Sequence, residues 1–468
     1  MLELLVGIDV GTTFAKAVVC DAGGAELAHA RVPTGWTRVA TGAEADADAL
    51  AGAALSAAGR ALDEAPDGEV AGVGVAGMAE SGVLLDGAGR PVAPVIAWHD
   101  KRGADEAAEL VRVFGASAFS RRTGLPASAL CSLAKLRWQR RNLPGVADAA
   151  GWLGVPEWVA HALGAPRVAE RSLACRTGAF SLRDARWWPE ALAWLGVQDG
   201  FFAEPVAAGT PLGRAGAGPA RLRGAQVTIA GHDHLAAMVG AAATAEGDVL
   251  HESGTSEVFV RSVPAGFDPQ RVVEAVAAGV TVGWHVLPDQ CALLSGNELT
   301  VVLASVLQLL GVDGDERREA LDHAVVRSGG DTGGLRLTGV GDQGTLTLTG
   351  IAPGLEPAHV WAAALAAAAD LDAATLARSD AIAGPHARIV ATGGGIRGAG
   401  ARLVKESQLG PIEWSPVREA TARGAALLAG VAAGLYSSTA AIPSPGGVLG
   451  QDARQGPGAP QRTARGAP

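Results

Sequence analysis

The chain contains 468 residues, of which 48% are hydrophobic, and its 48 acidic and 38 basic side chains give a formal net charge of −10. A chain of this length exceeds a single hydrophobic core, so we expect two domains of about 200 residues each. The acidic balance argues against non-specific binding to nucleic acid or to an anionic membrane surface. No secretory signal is visible, and no apolar run approaches the roughly 18 residues of a membrane span.

The spacing of the cysteines bears on the cellular compartment. Cys20, Cys131, Cys175 and Cys291 lie far apart and form no CxxC pair. Such spacing suggests neither a zinc site nor a disulfide framework, and a reducing cytoplasm is the simplest location.

The first predicted elements are two short apolar strands, residues 4–8 and 15–20, which are joined by an unusual turn. A simple hairpin needs only two turn residues. This joint contains a carboxylate, a glycine, two hydroxyls and an ammonium group, namely Asp9, Gly11, Thr12, Thr13 and Lys16. Amides and hydroxyls can donate to phosphate oxygens, and Asp9 can hold Mg²⁺. The alternative is an ordinary hairpin with a solvated aspartate.

The rest of the first half alternates between strands and helices. Strands are predicted over residues 26–32, 70–75, 83–86 and 92–98, and helices over 45–62, 102–114 and 132–141. Leading strands followed by helices predict an α/β domain with a mixed sheet.

Around residue 230 the pattern restarts. The segment "VTIAGHDHLAAMVGAA" predicts a strand, a glycine-containing turn and a helix, and "DVLHESGTSEVFVRS" predicts two strands joined by the turn Glu252–Ser256. This acidic, Gly, Thr and Ser turn imitates the first joint. The repeat predicts two related halves that face each other across a cleft, each contributing a phosphate loop.

The second half continues with predicted strands over residues 281–287, 291–294 and 388–392 and helices over 299–310, 357–371 and 376–384. The triplet Gly393–Gly395 follows the last strand and lets a ligand approach the backbone closely. We expect the small-residue helix "REATARGAALLAGVAAG" to pack under this loop. From about Pro443 the chain is Gly- and Pro-rich, which predicts a flexible tail.

Asp233 follows a strand and precedes a helix, a position that allows two interpretations. It can act as a general base in an in-line phosphoryl transfer, or it can simply cap the helix. The flanking His232 and His234 are a weak metal signal, because the sequence offers no third ligand beside this HxH turn.

Other polar positions are suited to binding a sugar. The stretch "VIAWHDKRG" ends a strand with Trp98, Asp100 and Arg102, which can bind sugar hydroxyls or form an ion pair at a helix start. Glu80, where an earlier strand gives way to a turn, can accept hydrogen bonds from polyol hydroxyls. The triplet Gly393–Gly395 is not a dinucleotide GxGxxG pattern that opens the first βα unit, which disfavours hydride chemistry, and the absence of a Walker GxxxxGK[ST] motif disfavours P-loop kinases.

Taken in order, these segments resemble the FGGY family of carbohydrate kinases, in the superfamily of sugar kinases, heat-shock chaperone ATPases and actin. The resemblance extends to about residue 440 and is carried by "GIDVGTTFAK", "IAWHDKR", "SLAKLRWQRR" with its Lys-x-x-Trp at Lys135 and Trp138, "CRTGAFSLRDARWW", "AGHDHLAAMVGA", "ESGTSEVFV", "GTLTLTGIAPGLEPAHVWAA", and "ATGGGIRG" with "EATARGAALLAG". It implies an α/β fold of two ribonuclease-H-like (actin-like ATPase) domains, with mixed five-stranded sheets flanked by helices and the active site in the interdomain cleft.

The resemblance also implies domain bounds and residue roles. Residues 1–226 would bind the sugar and supply the first phosphate loop, residues 227–442 would bind ATP and supply the catalytic aspartate, and residues 443–468 would form the tail. Asp233 is the implied base and, with Asp9, an implied Mg²⁺ ligand. ATP contacts are implied for Gly11, Thr12, Thr13, Lys16, Gly254, Thr255, Ser256, Gly394 and Gly395, and sugar contacts for Glu80, Trp98, Asp100, Arg102 and Asp233.

The substrate stays open at this stage. Met78, Ala79 and Glu80 stand where xylulokinases carry a Gln-Met-His run, so that Glu80 takes the histidine position. Glycerol kinases carry an Arg-Glu pair there, of which this chain has the Glu but Ala79 in place of the Arg. A ketose such as xylulose, a polyol such as glycerol or erythritol, and an unusual keto sugar all remain possible substrates. The oligomeric state is open too, and a homodimer is one possibility. A non-catalytic regulator of the same fold is disfavoured because the chain keeps both Asp9 and Asp233.

Overall fold

The computed structural model describes residues 2–253, 257–297, 299–339, 346–394 and 398–444. The elements of the first half are, in chain order, β1 (Glu3–Val10), β2 (Phe14–Asp21), β3 (Glu26–Pro33), β4 (Thr37–Val39), β5 (Gly42–Ala45), α1 (Ala47–Glu64), β6 (Glu69–Gly77), β7 (Gly82–Leu85), β8 (Val95–Ile96), α2 (Ala104–Phe114), α3 (Ala116–Thr123), α4 (Ser132–Asn142), β9 (Gly151–Gly154), α5 (Val155–Ala162), β10 (Val168–Glu170), α6 (Arg171–Cys175), β11 (Phe180–Ser181), β12 (Arg186–Trp187), α7 (Pro189–Leu195) and β13 (Glu204–Val206).

The second half follows the same alternation. Its elements are β14 (Gln226–His232), α8 (Asp233–Gly240), β15 (Asp248–Ser253), β16 (Glu257–Pro264), α9 (Pro269–Ala277), β17 (Thr281–Trp284), β18 (Gln290–Asn297), α10 (Leu299–Leu309), α11 (Asp315–Arg327), β19 (Arg336–Thr338), β20 (Thr347–Thr349), α12 (Pro357–Ala383), β21 (Arg388–Thr392), α13 (Ala399–Leu409), β22 (Ile412–Trp414) and α14 (Ala420–Ala432).

Two mixed sheets with the same topology form the centre of the molecule. The first has the order β14-β6-β1-β2-β3, with antiparallel pairing from β1 through β3 and parallel pairing from β1 through β14. The second has the order β17-β18-β16-β15-β21-β22, antiparallel from β15 through β18 and parallel from β15 through β22. The shared order confirms the internal repeat that the two similar turns predicted.

The second sheet has one strand more than predicted, and the predicted boundary between the halves falls at a strand of the first sheet. Five strands were predicted for each sheet, whereas the second sheet has a sixth described strand, β17, which pairs with β18 at the sheet edge. The first sheet is completed by β14, which begins at Gln226 and pairs with β6. The predicted division at residue 226 therefore falls at the start of a strand of the first sheet, and the division itself stays a prediction.

Strand β1 is buried on both faces from Leu4 to Val10, which explains why it is apolar on both. Its even-numbered residues from Leu4 to Val10 pack in one core cluster with α1. Leu5 packs in a second cluster with α14, and a Cβ at Gly7 would lie 1.8 Å from the carbonyl oxygen of Ala422. The sequence placed α14 beneath the glycine triplet, but the structure packs it directly against β1. Glycine is required there because a helix backbone meets a strand.

Two local predictions were wrong. The two helices predicted over residues 357–371 and 376–384 are the single helix α12, since Thr375 stays helical and its hydroxyl donates to the Leu371 carbonyl oxygen at 2.8 Å. The strand predicted over residues 92–98 shrinks to β8, because Pro94 has no N–H group for a sheet.

The helix α12 is long and apolar enough, by length and composition, to cross a membrane. Its Trp361 and Leu365 lie in a core cluster with residues of α11 and α13, such as Val325 and Val404. The packing is that of a core helix.

Candidate active site

The turn between β1 and β2 is held tightly and carries the first group of predicted site residues. The N–H group of Gly11 donates to the Phe14 carbonyl oxygen at 3.2 Å, which closes the turn. Thr34, the residue after β3, holds the turn in place through two hydrogen bonds. Its hydroxyl donates to the Thr12 carbonyl oxygen at 2.6 Å, and its N–H group donates to the Thr13 carbonyl oxygen at 3.2 Å. The backbone of the predicted phosphate loop is thus anchored by β3 and its following residue.

Asp9 and Lys16 stand opposite each other in the register of β1 and β2. The Lys16 ammonium lies 2.8 Å from a carboxylate oxygen of Glu419 and 4.0 Å from Oδ2 of Asp9. Burial raises the pKa of Asp9 to about 8; Lys16 opposes this shift, while the charges of Asp233 and Glu252 add to it. The raised pKa of Asp9 therefore reflects its burial together with the other acidic side chains near it.

The Asp9 carboxylate fits a cation. Its Oδ1 atom is buried and has no hydrogen-bond partner among the described residues. An unpartnered buried carboxylate oxygen is costly unless something positive or hydrogen-bonding approaches it. Hard divalent cations such as Mg²⁺ prefer such oxygen ligands.

Asp233 is positioned by a closely packed turn at the end of β14. Gly231 has φ +92°, and a Cβ there would lie 2.5 Å from the Ser172 hydroxyl. That hydroxyl accepts the His232 N–H at 2.9 Å and donates to the buried Glu170 carboxylate at 2.5 Å. The start of α6 therefore fixes the turn from which α8 begins, and Asp233 is the first residue of α8.

The charges around Asp233 keep it ionised. Burial alone would raise its pKa, but the neighbouring His234, a hydrogen bond from the His234 N–H at 2.8 Å and Lys16 lower it below its ordinary value. Burial opposes the charge on His234, yet Asp233 and Glu252 raise its pKa to about 9. The Nδ1–H group of His234 donates to Glu252 at 2.7 Å. Asp233 is accordingly a carboxylate at neutral pH.

Trp98 joins the predicted sugar segment to the first phosphate loop. Its indole N–H donates to the Thr12 hydroxyl at 2.9 Å. Its carbonyl oxygen accepts from the ammonium of Lys135, which also donates to the Leu130 carbonyl oxygen, both at 2.8 Å. Burial lowers the pKa of Lys135 to about 8. Lys135 therefore supports the Trp98 loop from within the protein.

Glu80 adopts a left-handed backbone conformation, with φ 60°, that side chains rarely take. Its carboxylate accepts from Nε of Arg176 at 2.6 Å, and Nη1 of that arginine donates to the Thr281 hydroxyl at 2.9 Å. Arg176 thus bridges Glu80 and the edge strand β17 of the second sheet. Sequence reasoning missed this role, although Arg176 lies in the quoted segment "CRTGAFSLRDARWW".

Asp100 and Arg102 bind each other. The Asp100 carboxylate accepts three hydrogen bonds from Arg102, at 2.6 to 3.0 Å, and one from the Ala43 N–H at 3.1 Å. Arg102 also contacts Glu44 and lies over the Trp138 ring, 5.2 Å from its centroid. Of the two predicted alternatives the structure has the ion pair, buried rather than exposed, and a sugar contact by either residue stays a prediction.

The predicted second phosphate loop and part of the glycine triplet lie outside the described residues, namely Gly254, Thr255, Ser256 and Gly395. Their flanks come together. Gly393 has φ +103°, and a Cβ there would lie 2.3 Å from the Ser253 carbonyl oxygen, so that β15 and β21 end side by side. None of the described atoms lies within 4 Å of a Cβ built at Gly394, which leaves room beside its backbone.

A buried ionic cluster supports these strand ends. The Lys405 ammonium lies 2.5 Å from a carboxylate oxygen of Asp372 and 3.2 Å from one of Glu257. Glu257 also accepts from His251 at 2.5 Å and from the Ser253 hydroxyl at 2.7 Å. Sequence reasoning missed this cluster, because its members come from four separate elements, β15, β16, α12 and α13.

The described residues define a protein built on two mixed sheets of the same topology, with acidic side chains at the strand ends. Residues 4–240 match the model of the FGGY family of carbohydrate kinases, N-terminal domain. The chain is 31% identical over 441 residues to a xylulose kinase of Streptomyces coelicolor, covering 90% of this chain and 86% of that relative. It is 28% identical over 480 residues to a glycerol kinase of Acidovorax sp. (strain JS42), covering 94% and 92%.

Solved structures of carbohydrate kinases also resemble this chain in fold. The xylulose kinase from Rhodospirillum rubrum superposes with a TM-score of 0.80 at 26% identity, covering 92% of this chain and 89% of that one. The Plasmodium falciparum glycerol kinase with ADP has a TM-score of 0.82 at 15% identity, covering 96% and 94%, and shows the same fold. The chain belongs to the FGGY family of carbohydrate kinases. It is accordingly an ATP-dependent kinase of a sugar or polyol.

Proposed function

We propose that this enzyme transfers the γ-phosphate of ATP to a primary hydroxyl of a small ketose such as xylulose, in the cytoplasm, with Asp233 as general base. The observation that carries the proposal is the register of the first sheet: Asp9 of β1 and Gly231 of β14 both align with Ala76 of β6, which places Asp9 and Asp233 at the same edge of the sheet. The charges of the two carboxylates are coupled, and Lys16 acts on both. Two carboxylates and one ammonium near one another are suited to phosphoryl transfer.

The proposed reaction is an in-line displacement. Asp233 takes the proton of the substrate hydroxyl, the hydroxyl oxygen forms a bond to the γ-phosphorus, and the bond from that phosphorus to the bridging oxygen of ADP breaks. Asp9 and Asp233 would hold Mg²⁺, which neutralises phosphate charge when bound. Lys16 and the turn from Gly11 to Thr13 would contact the transferred phosphate, and Gly394 would border the adenosine.

Glu80, Arg176 and Trp98 support the assignment of a hydroxyl-rich substrate. The carboxylate of Glu80 is largely buried and paired with Arg176, and both influence the pKa of His232 beside Asp233. Charged and hydroxyl-matched groups of this kind reject analogues that lack the hydroxyl. A polyol of the glycerol or erythritol type is the second candidate, because Glu80 is kept and glycerol kinases are among the relatives.

The proposal is tested by coupled ADP release across pentuloses, hexuloses, tetritols and glycerol. We expect turnover well above ATPase background with one of these classes. Asp233→Asn is expected to reduce kcat by at least about 10²-fold, since proton transfer contributes on that scale, while ATP binding by calorimetry is retained. Asp105→Asn, which removes an exposed carboxylate of α2, is the matched control. Full turnover in Asp233→Asn would disprove the role of the base, and nucleotide binding without turnover in the wild type would favour a regulator.

A further inference from the structure

Three consecutive side chains at the start of α8, those of His232, Asp233 and His234, bring atoms that can bind a metal ion close to one another. Nε2 of His232 lies 3.2 Å from Oδ1 of Asp233, and Nε2 of His234 lies 3.8 Å from the same oxygen. One ligand atom from each of the three residues lies within 4.8 Å of those of the other two. Ligand atoms around a tetrahedral zinc ion, bonded at about 2.0–2.1 Å, lie roughly 3.3 Å apart. The spacing of the three atoms therefore approaches that of a zinc site.

The orientation of His234 is that of a metal ligand. Its Nδ1 lies 2.7 Å from the Glu252 carboxylate and its Nε2 faces Asp233, so that a metal ion replacing the Nε2 proton would meet a lone pair there while Nδ1–H still donates to Glu252. Metal-binding histidines commonly donate their other N–H to a carboxylate, which fixes the ring and its tautomer. Glu252 stands in this supporting position, which the sequence could not reveal because Glu252 lies on β15.

The site is open to solvent on one side. The side chain of His232 is buried, whereas those of Asp233 and His234 are 23% and 25% exposed, respectively. The second group of similar composition, His251, Glu257 and Asp372, is buried and already contains the Lys405 ammonium. Only the first group, among those in the described residues, combines the ligand spacing with partial exposure to solvent.

We propose that His232, Asp233 and His234 bind a transition-metal dication, with Zn²⁺ the best match, and that the ion blocks Asp233. Two imidazoles and one carboxylate suit Zn²⁺, and three protein ligands leave a position for water. This site shares Asp233 with the proposed Mg²⁺ site and differs from it in offering two imidazole nitrogens in place of the Asp9 oxygens. The inhibitory part of the inference rests on the proposed function, because it needs Asp233 to act as the base.

Metal binding is tested on the full-length chain after removal of metal with EDTA. We expect calorimetry to show one Zn²⁺ bound per chain, and Co²⁺ to give the visible absorption of a low-coordinate ion. His234→Gln and His232→Asn should abolish both signals. Glu252→Gln keeps all three ligands and should weaken binding about 10–100-fold. His386→Asn, which removes a histidine paired with Asp380 away from the site, is the matched control and should bind like the wild type.

The outcomes separate the inference from the proposed function. Absence of stoichiometric Zn²⁺ binding by the wild type, or equal binding by a correctly folded His234→Gln variant, overturns the metal site. Zn²⁺ binding without inhibition of an active kinase overturns the blocking role, and in that case turnover in Mg²⁺ still supports the kinase. A wild type that binds Zn²⁺ but phosphorylates nothing contradicts the proposed function and leaves the metal site standing.

Discussion

The indole N–H of Trp98 donates to the hydroxyl of Thr12 at 2.9 Å. These residues lie 86 positions apart in the chain. One comes from the segment that resembles the family's substrate-binding stretch, and the other from the first phosphate loop. The hydrogen bond therefore joins the two halves of the proposed reaction, the acceptor sugar and the transferred phosphate.

Separating these two residues is expected to uncouple the loops. Trp98→Phe and Thr12→Val each remove one partner, and a net hydrogen bond contributes about 0.5–1.5 kcal/mol to stability. A double-mutant cycle on the free energy of unfolding should return a coupling energy in that range. Additive effects of the two substitutions would show that the bond contributes nothing, and Trp36→Phe provides a control on the loss of an indole N–H elsewhere in the chain.

The buried Glu157 predicts a pH dependence of stability. It accepts hydrogen bonds from the N–H groups of Gly154 at 2.6 Å and Glu170 at 2.8 Å, and Glu170 in turn holds the turn before Asp233. Burial, only partly opposed by these hydrogen bonds, raises the pKa of Glu157 to about 8 from 4.5. Between these values the folded protein binds the proton more tightly than the unfolded chain does, so stability falls as pH rises.

Glu157→Gln should remove this contribution. We expect the melting temperature of the wild type to fall relative to that of the variant as pH rises from about 4.5 to 8, and the difference to be constant above that range. Thermal unfolding between pH 5 and 9 measures it. Glu190→Gln, an exposed change in α7, should leave the wild-type slope intact. A pH-independent difference between the wild type and Glu157→Gln would contradict the prediction.

Lys405 is expected to be indispensable only while its carboxylate partners are present. Lys405→Met leaves Asp372 and Glu257 buried without their cation, and breaking a buried pair costs about 3–5 kcal/mol. Lys405→Met combined with Asp372→Leu should recover part of that loss, since buried pairs can be replaced by apolar residues. Urea denaturation of both variants measures the two values. Equal destabilisation by the single and double changes would contradict this account.

Arg176 is expected to act on the sugar side of the site. Arg176→Met leaves the Glu80 carboxylate without its guanidinium partner, so we expect the KM for the sugar to rise about tenfold or more while the KM for ATP changes little. Steady-state kinetics at saturating ATP and at saturating sugar separate the two constants. A rise in the KM for ATP without a rise in the KM for the sugar would contradict the assignment. Arg221→Met, at an arginine that donates to the Pro66 carbonyl oxygen at 2.8 Å, is the control.

The elements with strong local signals were predicted well. The strand over residues 388–392 has the observed bounds of β21, and the helix over residues 132–141 differs from α4 by one residue. Runs of branched apolar residues and helix-ending prolines act within a few residues, so they can be read without the fold. Continuity across residues 371–376 was missed, because the contacts that hold Asp372 and Thr375 in α12 come from α13 and from the helix itself.

What the sequence determined by itself is the repeat of two strand-turn-strand units and the identity of Asp9, Thr12 and Asp233 as polar residues at strand ends. Only the tertiary structure decided which charges meet: Arg176 with Glu80, His234 with Glu252, and Asp100 with Arg102 rather than with solvent. The first kind of information is periodic and local. The second depends on distances between elements that lie up to about a hundred residues apart, and these are set by how the sheets and helices pack.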